Sequence, residues 1–158
     1  MKEIQLFTDG SVNVQTKIGF GASLIVTDSV KSIRKLKQDV KVKRFENTSS
    51  AKLELQTLLW ALNDIGPSVS RVIIYTDSQN IAGLSERRTR LEKNNFKTKS
   101  NAYINNYKLY REFYRLTDKL NCELVKVRGH QQIHQKDLIH KIFTLVDRAS
   151  RKALRAEG

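Results

Sequence analysis

The sequence predicts an α/β fold: a mixed five-stranded sheet, with a three-stranded antiparallel meander and two parallel strands, and helices on both faces. Two observations carry this reading. Strand-like and helix-like stretches follow one another in the order βββαβα(α)βα, and the run Val72-Ile73-Ile74-Tyr75 is continuously apolar, as a strand covered on both faces by helices must be. At 158 residues the chain has room for one domain spanning 1–158 with a proper core.

The first strand is marked by Ile4, Leu6 and Thr8 alternating with Gln5 and Phe7, and it ends in the turn signal Asp9-Gly10-Ser11. Gly21 to Thr27 is a second β-rich run. Ile33, Leu36, Val40 and Val42 mark a third, weaker stretch before Glu46-Asn47, which we read as the last strand of the meander. Thr48-Ser49-Ser50 then offers N-caps, and Ala51, Leu55, Leu58, Leu59 and Leu62 recur at helical spacing until Gly66-Pro67. The buried run ends at Thr76-Asp77-Ser78, with a helix expected to start at Asp77 or Ser78.

From Leu84 to Arg115 there are nine basic residues against three acidic ones. Leu109, Phe113, Leu116 and Leu120 repeat at helical spacing there, and Tyr103, Tyr107, Tyr110 and Tyr114 repeat on an adjacent stripe. Such tyrosines either stack on bases or line the margin of a core, and beside a Leu/Phe stripe we read them as core margin. Leu124, Val125 and Val127 form the last strand, running into Arg128-Gly129-His130. Ile142 to Leu154 closes the chain as an amphipathic helix.

Lys plus Arg number 29 against 16 Asp plus Glu, a net charge of +13 that favours an anionic partner, nucleic acid first among them. Cys122 is the only cysteine, so no disulfide framework is built within the chain. Its apolar flanks suit a small core residue in a reducing compartment. The N-terminal residues hold no long apolar run, which argues against a signal peptide or membrane span and for a cytoplasmic location.

In so basic a chain four carboxylates stand out. Asp9 and Asp77 close core strands, where α/β sheets present their ligand-binding loops; singly, each also suits a turn former or a helix N-cap. Glu54 lies at the edge of a buried helical stripe, where it could also serve the helix dipole, and Asp147 lies on the last helix, where a solvated role is equally open. Together they would repel unless cations sat between them, and Mg²⁺ is the hard ion that carboxylates and phosphate oxygens hold.

The segments Phe7-Thr8-Asp9-Gly10-Ser11, Ser50-Ala51-Lys52-Leu53-Glu54-Leu55, Tyr75-Thr76-Asp77-Ser78-Gln79, Val127-Arg128-Gly129-His130 and Asp147-Arg148-Ala149, in this order, resemble the type 1 ribonuclease H family. The resemblance implies a ribonuclease H-like fold and an endonuclease that hydrolyses the RNA strand of RNA–DNA hybrids, leaving 5′-phosphate and 3′-hydroxyl ends. It implies two Mg²⁺ ions, with Mn²⁺ possible in their place: Asp9 bridging, Glu54 and Asp77 on one ion, Asp147 on the other. His130 matches the family's mobile histidine, although a plain loop role suits it too; His134 and His140 match nothing and are read as structural.

By the same resemblance Gly10, Ser11, Ser50 and Gln79 would touch the RNA, and Arg87, Arg88, Lys97 and Lys99 the phosphates of the DNA strand. Ser50 and Ala51 stand where the family commonly carries asparagines. The stretch between His130 and Asp147 is long, with Asp137 as the rival to Asp147. A DNA-directed nuclease of the same fold and a noncatalytic nucleic-acid-binding module are the alternatives. A monomer without an evident protein partner is the default expectation.

Overall fold

The computed structural model describes residues 2–27, 32–127 and 138–158. Strands β1 (Lys2–Asn13), β2 (Ile18–Val26), β3 (Lys41–Phe45), β4 (Val69–Thr76) and β5 (Cys122–Lys126) form one sheet in the order β3-β2-β1-β4-β5. β1 pairs antiparallel with β2 and β2 with β3, whereas β1–β4 and β4–β5 are parallel. The expected meander and parallel pairs are both present.

The alternation of side chains along the strands divides the core in two. Ile4, Leu6, Val72 and Ile74 point to one face and meet Leu55, Leu58 and Leu62 of α2 (Ser50–Asn63) and Phe113 and Leu116 of α5 (Tyr107–Lys119). Phe7, Leu24 and Tyr75 point to the other, against Leu36 of α1 (Ile33–Asp39) and Ile142 and Val146 of α6 (Leu138–Glu157). Each central strand is thus buried on both sides, which is why its sequence reads as a continuous apolar run. The short helices α3 (Gln79–Ala82) and α4 (Leu84–Lys93) follow β4. No helix among the described residues is long and apolar enough to cross a membrane.

Three expectations are corrected. The first strand does not end at Asp9-Gly10-Ser11: β1 runs on to Asn13, with Asp9, Gly10 and Ser11 paired to Ala22, Gly21 and Phe20 of β2. The third stretch is not strand throughout: Ile33 and Leu36 belong to α1, and only Lys41–Phe45 pairs with β2. Residues three apart share a helix face, and Ser32 caps the helix by accepting from the Lys35 amide at 3.2 Å, so Leu36 is buried without strand geometry. Tyr103 does not continue the helical stripe. It precedes α5, bridges to Lys97 and is 47% exposed, while Tyr114 is buried and Tyr107 and Tyr110 are half-buried against the core.

Candidate active site

Parallel pairing of β1 and β4 brings Phe7 opposite Tyr75, and their rings stack with centroids 4.7 Å apart. Asp9 and Asp77 each lie two residues further on, just past the last β1–β4 pair, so the same register that buries the rings sets the two carboxylates side by side; Asp77 follows the end of β4, whereas β1 runs on to Asn13 beside β2. The turn after β4 is closed by the Ser78 amide donating to Thr76 Oγ1 at 3.1 Å, with Asp77 at its centre.

Glu54 arrives from the opposite face on α2, which lies close to the sheet because the strands offer glycine beneath it. A Cβ on Gly10 would stand 2.9 Å from Leu53 Cδ2, and one on Gly21 would stand 2.1 Å from Thr57 Oγ1. Ser78 then holds the carboxylate: its hydroxyl donates to Glu54 Oε2 at 2.5 Å and accepts from the Ile81 amide as the N-cap of α3. Thr8, Asp9, Gly10, Glu54, Thr57, Thr76 and Asp77 line a small cleft at this end of the sheet.

Asp147 comes from α6. It lies within hydrogen-bonding reach of Asp9 and pairs with Arg151, one helical turn on, through Nε at 2.9 Å. The helix is tied to β1 at the same level by the Ser11 and Ser150 hydroxyls, 3.0 Å apart.

The electrostatics follow from this crowding. Burial, then the charge of Asp77 and the closeness of Asp147, push the Asp9 carboxyl up to about 8, against the opposing pull of the Gly10 amide. Burial also raises Glu54, with Asp77 adding to the rise and the Ser78 hydroxyl opposing it. Asp77 is raised by burial and by Asp147, and lowered in part by Arg151 and Lys126. Three carboxyls raised together describe a cluster short of positive charge in a chain with a large excess of it.

Among the described residues no three Asp, Glu, His or Cys side chains close around one point as a preformed cage would. Asp9, Asp77 and Asp147 each lie within electrostatic reach of the other two, and Glu54 joins them through Asp77. Hard oxygen donors grouped without a closed cage fit Mg²⁺, which takes few protein ligands and keeps waters or substrate oxygens.

The other expected residues are spread wider. Gly10 and Ser11 adjoin Asp9 on β1, Ser50 opens α2, and Gln79 opens α3 with its Oε1 accepting from Lys126 Nζ at 2.6 Å. Arg87 donates to the carbonyl and side-chain oxygens of Asn80 at 2.7 and 2.8 Å, and Arg88 makes a two-pronged pair with Asp118 at 2.6 and 2.8 Å. Lys97 and Lys99 lie in the segment before α5. His130 and the rival Asp137 lie outside the described residues. Sequence reasoning passed over Ser150, which nothing in the chain's pattern marks, and Arg151, whose spacing of four from Asp147 was the available signal.

Acidic side chains gathered where the parallel pairing of the two central strands of a β3-β2-β1-β4-β5 sheet ends place the chain in the ribonuclease H-like class of folds. The family model for RNase H matches residues 1–153, and the chain belongs to the RNase H family. It is 26% identical over 133 residues to the Ribonuclease H of Caldicellulosiruptor saccharolyticus, covering 82% of this chain and 86% of the relative. It is 25% identical over 147 residues to that of Acetivibrio thermocellus, covering 91% and 94%, and 26% identical over 136 residues to that of Clostridium botulinum, covering 82% and 85%.

Proposed function

We propose that this member of the RNase H family is an endonuclease that hydrolyses the RNA strand of RNA–DNA hybrids, with Asp9, Glu54, Asp77 and Asp147 holding divalent cations at the scissile phosphate. The observation that carries the reading is the convergence of Asp9 from β1, Asp77 after β4, Glu54 from α2 and Asp147 from α6 at one end of the sheet, a crowding of carboxyls that a cation would relieve. Bound there, Mg²⁺ or Mn²⁺ would supply Lewis acidity toward phosphate oxygens and make water a better nucleophile. The products are RNA ends bearing 5′-phosphate and 3′-hydroxyl groups. His130 is assigned to proton movement or product release.

The hydrogen-bonding capacity of the neighbouring side chains suits a 2′-hydroxyl, which both donates and accepts. Ser150 gives its proton to the Asp147 carbonyl at 3.0 Å, so in the contact with Ser11 it is Ser11 that donates. Ser11 therefore faces the substrate as an acceptor. Gln79 has its oxygen engaged by Lys126 and offers its amide N–H groups as donors. Gly10 and Ser50 complete this RNA-facing group. Arg87, Arg88, Lys97 and Lys99 are assigned to DNA-strand phosphates, the two arginines held in place by Asn80 and Asp118. The enzyme is taken to act as a monomer in the cytoplasm.

The test is cleavage of an end-labelled RNA–DNA hybrid in Mg²⁺, with duplex DNA, duplex RNA and single-stranded RNA alongside, for the wild type and Asp9→Asn. RNA cut only in the hybrid, and only by the wild type, supports the reading. Cutting of duplex DNA overturns the substrate assignment, and hybrid binding without cutting makes the chain a binding module.

A further inference from the structure

Between α4 and α5 the chain builds a small hairpin. The Ile104 amide donates to the Phe96 carbonyl at 2.9 Å, Lys97 bridges to Tyr103, and the Thr98 amide donates to the Ala102 carbonyl at 2.7 Å. Phe96 is the buried anchor, and Asn95, Phe96, Asn101 and Asn106 all adopt positive φ, so the backbone is bent to hold this shape. Lys97 and Tyr103 lie opposite one another and share a face.

That face is aromatic and cationic at once. The Tyr103 ring stacks on Tyr107 with centroids 4.0 Å apart, and the Arg111 guanidinium lies 5.6 and 5.1 Å from the two centroids. Lys97 Nζ is 5.0 Å from the Tyr103 centroid, on a stem flexible enough to swing aside. Asn94, Asn95, Lys97, Thr98, Lys99 and Asn101 line a concavity beside it. From Lys93 to Arg111 the sequence has five basic residues and no acid.

Positive charge alone would suit any nucleic acid. An exposed aromatic ring is more selective, because paired bases are already stacked on one another and present only their edges, whereas an unpaired base offers a face. We propose that the hairpin is a binding site for single-stranded DNA, with a base stacked on Tyr103 and backbone phosphates on Lys97, Lys99 and Arg111, and that it takes the unpaired continuation of the DNA strand where a hybrid ends. The second clause rests on the hybrid-cleaving reading; the binding itself does not require cleavage.

The experiment is fluorescence anisotropy of a labelled single-stranded DNA of about 20 nucleotides in chelator, with wild type, Tyr103→Leu and Tyr103→Phe, followed by cleavage of blunt hybrids and hybrids with a single-stranded DNA extension. Tyr103→Leu is expected to weaken single-strand binding roughly 5- to 50-fold, by loss of one stacking contact, while Tyr103→Phe stays near the wild type. The wild type is expected to cut extended hybrids faster than blunt ones at low concentration, and Tyr103→Leu to lose that advantage with blunt-hybrid cleavage within about twofold. Equal single-strand binding by Tyr103→Leu and wild type overturns the site. An equal loss on blunt hybrids overturns the assignment to an unpaired strand, since the ring would then serve the duplex. If no hybrid is cut but Tyr103→Leu still loses single-strand binding, the cleavage reading falls and the site stands.

Discussion

The Ser11 and Ser150 hydroxyls meet at 3.0 Å, and the direction of the bond is fixed by the carbonyl of Asp147, which can only accept from Ser150. One buried hydroxyl therefore joins the end of β1 to the turn of α6 that carries Asp147. Ser150→Ala leaves the Ser11 proton without this acceptor and should cost about 1 kcal/mol of stability. Its larger effect is expected on cleavage, with kcat reduced roughly 3- to 10-fold and KM little changed, as for a positioning residue. Steady-state kinetics at saturating Mg²⁺, beside a thermal melt, would check both; a melt that shifts with unchanged kcat would restrict Ser150 to folding.

Asp9 supplies a pH dependence. Its carboxyl stands near 8 in the folded protein against an ordinary value of 3.8, so between these values the folded state binds more protons than the unfolded chain. Stability without metal should therefore fall as pH rises from about 4 to about 8. Asp9→Asn removes that loss and should stabilise the chelated protein at pH 8 by about 1–3 kcal/mol, while abolishing cleavage. Added Mg²⁺ should raise the melting temperature of the wild type more than that of the variant. Melts in chelator at pH 5 and pH 8 test the sign.

Gly21→Ala tests how α2 reaches the sheet. The new methyl would overlap Thr57, forcing the helix that carries Glu54 outward and costing roughly 1–3 kcal/mol. Among the described residues Thr57 Oγ1 is buried without a hydrogen-bond partner, so Thr57→Ala forfeits no hydrogen bond there. The double variant Gly21→Ala with Thr57→Ala should regain both stability and activity relative to Gly21→Ala, a coupling that urea denaturation of all four proteins would measure.

Cys122 is half-buried against the core, and burial pushes its thiol up to about 11 from 9.0. At pH 8 the thiolate fraction should then be about 100-fold below that of an unfolded cysteine. Alkylation by iodoacetamide should be slower in the native protein by at least that order and should accelerate in denaturant. Native labelling at the unfolded rate would contradict the burial.

The sequence made most of the strand order legible because each central strand is apolar on both faces, but the Asp9-Gly10-Ser11 turn signal lies within β1, which runs on to Asn13. The sequence also misled at Ile33 and Leu36, where a spacing of three fits a short capped helix and the β-branched residue suggested a strand. Tyr103 shares the spacing of the tyrosine stripe, but its cross-strand pairing with Lys97 is a tertiary fact that periodicity does not carry. In the site, Asp9, Glu54 and Asp77 stand in motifs that sequence reading singles out, and the fold brings them near one another and near Asp147 of α6. Gly21 under Thr57 and Ser150 behind Asp147 were not readable, since each matters only for what stands opposite it in space.

The parallel pairing of β1 with β4 has a kinetic meaning as well. Phe7 and Tyr75 are partners across most of the first half of the chain, a long loop to close, whereas β1 and β2 are neighbours in sequence. Slipping β1 by one residue against β4 would turn Phe7 and Asp9 to the opposite face of the sheet. Hybrid cleavage should then return during refolding only with this late, long-range alignment, after the β1–β2 hairpin has formed, so that catalytic competence marks the completion of the fold.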